Sequence, residues 1–96
     1  GILSHFAEIS LKELVGFMKS KEFSKVRSWV VDHLDNDQTQ VFRTIYDGLY
    51  DNLKGHSIPE AVLILAEYQY KSAFAADQEI NMVACLTELM MRCEFK

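Results

Sequence analysis

The sequence predicts an all-α fold, a compact bundle of about five helices forming one domain over residues 1–96. Three observations point there. Apolar residues recur at steps of three and four along the whole chain, with no run of strict alternation long enough for a strand. Polar capping residues interrupt that pattern at helix-length intervals. The composition, 49% hydrophobic and 25% charged with one Pro and four Gly, suits one ordinary core and excludes a disordered or collagen-like chain. Area scaling gives roughly 16,000 Å² for the unfolded chain and roughly 5,700 Å² for the folded one, so burial can proceed without metal or disulfide support.

The first helix is placed at about 11–19, where Ser10 and Glu13 have capping-box spacing and Leu11, Leu14, Val15 and Met18 share a face. A second, about 22–34, carries Phe23, Val26, Val30 and Leu34 on one buried stripe, flanked by Trp29 and Val31. Asp35-Asn36-Asp37 is a polar turn with N-cap chemistry, after which Val41, Phe42, Ile45, Tyr46, Leu49 and Leu53 form an amphipathic third helix. It should stop near Lys54-Gly55, because Gly takes the left-handed cap geometry without penalty. Ser57-Ile58-Pro59-Glu60 opens the fourth: Ser57 and Glu60 repeat the capping-box spacing, and Pro59 falls in the first turn, where a missing amide costs nothing. This helix continues through Val62, Leu65 and Ala66 toward Tyr68 or Tyr70. A break at Ala75-Ala76-Asp77, with Asp77 as cap, precedes a last helix at about 78–94.

The last helix is apolar on many sides. At 100° per residue, its Leu, Met, Cys, Val, Ile, Ala and Phe positions from Ile80 to Phe95 cover roughly 240° of the circumference, whereas one core needs a stripe only somewhat over 100° wide. Asn81, Glu88, Arg92 and Lys96 form the polar strip. Either the helix is central in its own bundle, or part of its apolar flank faces another protein. Tyr68, Tyr70 and Phe74 form a second aromatic group, suited to a core edge or to an interface.

Several chemistries are excluded by what the sequence lacks. A net charge of −4 has the wrong sign for neutralising many phosphates. No Gly-Lys pair or GxGxxG turn exists to cradle a nucleotide. His5, His33, His56, Cys85 and Cys93 lack the paired spacing of a zinc site. Cys85 and Cys93, eight positions apart on one helix, are separated by about 12 Å, too far for a disulfide, so reduced thiols are expected. Ser28, Asp32 and His33 crowd one helix, but neighbours Asp32 and His33 point about 100° apart and do not orient one another as a triad requires. Lys12, Lys19, Lys21, Lys25 and Arg27 hold half the positive charge, interleaved with Phe17, Phe23 and Trp29, and read as a solvated face over buried rings. No stretch approaches the length of a membrane span and no secretory start is present, so a soluble intracellular domain is expected.

The stretches Lys21-Glu22-Phe23-Ser24-Lys25-Val26-Arg27-Ser28-Trp29-Val30-Val31, Ser57-Ile58-Pro59-Glu60 and, above all, Ala66-Glu67-Tyr68-Gln69-Tyr70-Lys71-Ser72-Ala73-Phe74-Ala75-Ala76-Asp77-Gln78-Glu79 resemble the C-terminal domain of sliding-clamp loader subunits. The likeness is to the ATPase subunits of tailed-phage loaders, counterparts of replication factor C small subunits, and it covers nearly the whole chain. Where cellular members typically carry Glu-Gly-Ala-Asn, this chain has Phe74-Ala75-Ala76-Asp77, which favours the phage branch. In that family the domain is a helical bundle following an AAA+ ATPase module, and copies pack side by side into a collar.

The resemblance implies the same job here: an oligomerisation domain that holds loader subunits together during ATP-driven loading of the clamp in DNA replication. It implies a C-terminal fragment of a longer AAA+ subunit, with which a start lacking an initiator Met agrees. No catalytic, cofactor-binding or metal residue carries over, since ATP and Mg belong to the ATPase module. The partners implied are other loader subunits, with the clamp and primer-template DNA reached only through the full assembly, in the cytoplasm of an infected bacterium and with no membrane. Candidate interface residues are Tyr68, Tyr70, Phe74, Met82, Leu86, Met90 and Met91. Two other readings are a free-standing adaptor accepting a partner helix in a groove of Met82, Met90 and Met91, and a nucleic-acid-binding bundle using the Lys19 to Arg27 region.

Overall fold

The computed structural model describes the backbone of residues 2–96 and the side chains from Ser10 onward. Five α-helices follow in order: α1 (Ile2–Lys19), α2 (Phe23–Asp32), α3 (Gln38–Asn52), α4 (Ile58–Ser72) and α5 (Gln78–Arg92), with a 3₁₀ turn (Gly55–Ser57) leading into α4. The all-α bundle expected from the hydrophobic spacing is the observed fold. Its surface of 6053 Å² agrees with the scaling expectation of roughly 5,700 Å².

Local chemistry sets several boundaries as expected. The Asp37 carboxylate accepts from the Thr39 amide at 3.1 Å and starts α3. Asp77 accepts from the amides of Glu79 (2.9 Å) and Ile80 (3.2 Å) and starts α5. Pro59 lies in the first turn of α4. Both cysteines are buried free thiols.

Other boundaries differ, each because a distant partner takes a group the sequence assigns locally. Helix α1 starts at Ile2, so Ser10 lies mid-helix. Its hydroxyl accepts from the Trp29 indole at 2.9 Å instead of capping. Ser57 does not cap α4 either. The 3₁₀ turn places it in the helical region (φ −90°, ψ −14°), and its hydroxyl accepts from the Glu94 amide at 2.8 Å. Helix α3 ends at Asn52 without a left-handed Gly55. Leu53 turns extended and pairs with Phe95 in one antiparallel bridge. The Lys54 amide donates to the Glu94 carbonyl and the Lys96 amide to that of Asn52, both at 2.9 Å. The tail therefore leaves α5 after Arg92 and does not continue helical to residue 94. The left-handed residue is Lys21 (φ 60°), at the end of α1. There the Glu22 amide donates to the Phe17 carbonyl (2.9 Å) and the Lys21 amide to that of Met18 (3.1 Å), the bond pair of a Schellman cap.

The helices close a cycle: α1 packs on α2 and α3, α3 on α4, α4 on α5, and α5 back on α2, with α1 also touching α5. Leu14, Met18, Val26, Val30, Phe42 and Ile45 share the core with Leu49, Leu53, Met82, Cys85, Leu86 and Leu89. Each Leu, Ile or Met so enclosed contributes about 1.5–3 kcal/mol. Helix α5 has three packing neighbours, and that accounts for most of its apolar width. Met82, Leu86 and Met90, candidates for an interface, are enclosed by their own chain and belong to the core. Phe23 and Val31 depart in the other direction, being exposed on α2, while Trp29 is buried.

Candidate functional site

The surplus apolar surface lies on α4. At 100° per residue, Ala61, Ile64 and Leu65 face the core, with half-buried Tyr68 beside them. The opposite arc of about 120° carries Val62, Leu63, Ala66, Tyr70 and Ala73, and Phe74 follows in the next turn. All of these are exposed, with Leu63 at 69%, Tyr70 at 71% and Phe74 at 73%. The Tyr70 and Phe74 rings lie 5.3 Å apart between centroids, tilted by 58°. Tyr50 of α3, also exposed, flanks this arc across a water-sized apolar cleft lined by Tyr46, Tyr50, Ala61 and Val62. At about 150–250 Å² for a full aromatic side chain, these residues leave roughly 600 Å² of largely apolar surface uncovered. That is the upper end of what a soluble monomer ordinarily shows.

Tyr70 and Phe74 thus sit together as expected, but Tyr68 turns inward. Its hydroxyl donates to Glu88 of α5 at 3.0 Å, and burial together with the Glu88 carboxylate pushes its phenol pKa up. Met91 is exposed at 80%, as is Ile80 at 67%. Eleven residues apart, these two fall within about 20° on one line of α5. Phe23 of α2 borders a shallow groove with Arg27, Glu79, Ile80, Val83 and Ala84, so Phe23 and Ile80 mark a second, smaller apolar patch, with Met91 about 16 Å farther along the same line of α5. A groove of Met82, Met90 and Met91 does not form, because only Met91 reaches the surface. Leu63, Val62 and Tyr50 are members that the sequence analysis missed; the i, i+7, i+11 spacing of Leu63, Tyr70 and Phe74 is the signal that could have found them.

The remaining polar clusters have structural partners. The Trp29 carbonyl can only accept, so in the neutral imidazole of His33 the Nδ1 carries the proton (2.7 Å) and Nε2 accepts from the Ser10 hydroxyl (2.7 Å). The imidazole also stacks on the Trp29 ring with centroids 3.9 Å apart. Ser10, Trp29 and His33 therefore brace α1 against α2, and His33 is not oriented by Asp32. Arg27 pairs with Glu79 at 3.1 Å and Lys25 with Glu22 at 3.2 Å, while the Lys21 ammonium donates to the Met90 carbonyl. Burial raises the pKa of both cysteine thiols, Glu88 adding to the effect at Cys85 and Glu60 at Cys93; this opposes the thiolate form needed for nucleophilic or metal chemistry. Among the described residues no group of three His, Cys, Asp or Glu side chains is placed to hold a metal ion, and no helix is long and apolar enough to cross a membrane.

In comparisons with known proteins, no family model matches this chain and no curated protein matches its sequence.

Proposed function

We propose that this domain is a subunit-association module of a sliding-clamp loader, a collar domain of the kind its sequence resembles. The observation that carries the proposal is the outward face of α4, where Leu63, Tyr70 and Phe74 are each more than two-thirds exposed. Aromatic side chains on an exposed helix face are the usual anchors of protein interfaces. Tyr70 and Phe74 also lie within the Ala66 to Glu79 stretch that carries the resemblance. In this role the domain performs no catalysis and binds no cofactor. ATP and Mg act in the AAA+ module of the longer subunit, other loader subunits are the direct partners, and clamp and primer-template DNA are reached through the assembly in the cytoplasm of a phage-infected host.

Two experiments test the proposal. The coding sequence ahead of Gly1 should encode a Gly-Lys-Thr phosphate loop. In the full-length subunit, Phe74→Asp should weaken co-purification with the other loader subunits while leaving nucleotide binding to the ATPase module intact. An upstream sequence without that loop, or undiminished association of the variant, contradicts the proposal.

A further inference from the structure

Among the described residues, one stretch of backbone pairs as a strand, Leu53 with Phe95 in the antiparallel bridge. The Lys54 amide donates to the Glu94 carbonyl and the Lys96 amide to that of Asn52. These bonds flank the Leu53–Phe95 pair and do not join it, the arrangement in which facing side chains stand closest. Leu53 is fully buried, and Phe95 packs half-buried against the core. The residue before the aromatic has its own partners. The Glu94 amide donates to the buried Ser57 hydroxyl at 2.8 Å, and the Glu94 carboxylate lies 3.4 Å from the His56 imidazole and 3.7 Å from the Lys54 ammonium.

Residues 52–57 therefore hold Glu94–Lys96 as a peptide-binding site holds an extended ligand. Main-chain bonds grip any strand, and two side-chain positions, an aromatic against Leu53 and a carboxylate beside two basic groups, select among strands. The hold is light. Only three residues lie beyond Cys93, which is extended (φ −108°, ψ 145°) and ends α5. Both ion pairs of Glu94 are more than half exposed, where such pairs contribute little. Detaching the three residues leaves the five helices intact and bares main-chain groups at Asn52 and Lys54, a template for another strand.

We propose that this corner is a docking site for an extended segment of a partner protein in which an acidic residue precedes an aromatic one, and that the chain's own tail occupies the site until such a segment displaces it. The site uses none of Leu63, Tyr70 and Phe74 and does not depend on the association role. A segment in trans competes with a tethered one, so its apparent affinity falls in proportion to the fraction of molecules whose tail is detached.

The probe is a fluorescein-labelled peptide reproducing residues 91–96 with Cys93→Ser, its binding read by fluorescence anisotropy. Two variants of the 96-residue chain weaken the resident tail. Phe95→Ala vacates the place against Leu53. Glu94→Pro removes the amide given to Ser57 and the carboxylate beside His56 and Lys54, but no core side chain. Both variants should keep the helical circular dichroism of the unaltered chain and bind the peptide at least about tenfold more tightly than that chain does. A second peptide carrying Phe95→Ala should lose the binding. A folded variant that gains no affinity, or equal binding of the two peptides, overturns the proposal. So does the unfolding of both variants, because the tail would then be part of the global fold and not a detachable occupant.

Discussion

Replacing Gly48 and Gly16 separately by Ala tests the packing of α1 on α3. Both glycines lie in helices, where Ala gains about 0.8–1 kcal/mol over Gly. A methyl on Gly16 meets nothing within 4 Å, so that gain should appear in full. With an unfolding entropy of about 0.2 kcal/mol/K for a chain of this size, Tm should rise by about 4–5 °C. A methyl on Gly48 would stand 2.7 Å from Leu11 Cγ, with both terminal carbons of Leu11 also inside contact distance. Forcing a side chain out of such a site costs about 1–3 kcal/mol, which outweighs the propensity gain. Gly48→Ala should therefore lower Tm, by up to about 10 °C. Circular dichroism melts of the two variants and of Leu11→Ala/Gly48→Ala decide it, the double variant being more stable than the sum of its parts because the crowding is relieved. A Gly48→Ala chain as stabilised as Gly16→Ala would refute the close α1–α3 crossing.

Further expectations follow from single contacts. Ser57→Ala leaves the Glu94 amide without its 2.8 Å acceptor and should cost about 1–3 kcal/mol in urea unfolding, releasing the tail from the Leu53 bridge first. Leu86→Ala should cost about 2–5 kcal/mol by emptying core volume, whereas Met91→Ala should stay within about 0.5 kcal/mol; equal effects would contradict the assignment of one to core and the other to surface. Because burial raises the Cys85 thiol pKa above its ordinary value of 9.0, the unfolded chain loses that proton first as pH rises. Stability should therefore be complete below about pH 8.5 and decline above it, by at most about 1.4 kcal/mol per pH unit for this thiol. Cys85→Ala should flatten that decline in unfolding measurements at pH 8 to 10.

The parts of the fold legible in the sequence were those decided within a few residues. Asp37 and Asp77 cap amides two or three positions ahead, and no distant group competes for them. Ser10 and Ser57 stand in equally good capping spacings, yet their hydroxyls go to Trp29, 19 residues away, and to the Glu94 amide, 37 residues away. Only packing reveals those competitors. The same limit governs the candidate site. Counting apolar width on a helix does not count its neighbours: α5 has three and hides Met82, Leu86 and Met90, whereas α4 has two and cannot hide Leu63, Tyr70 and Phe74. Tyr70, Phe74 and Met91 stood as interface candidates on the same footing as Met82, Leu86 and Met90, since one apolar pattern serves core and surface alike, and only packing separates them. Tyr68 was not separable from them until Glu88 of α5 was seen to take its hydroxyl.

Thiol labelling of a Phe74→Cys chain tests the claim that the α4 face is an association surface most directly. Cys85 and Cys93 are buried and should stay silent, so the label reads position 74 alone. Alkylation should be fast for the dilute chain and at least about tenfold slower once the chain is concentrated or mixed with the loader subunits proposed as its partners. An alkylation rate unchanged by assembly would contradict the account.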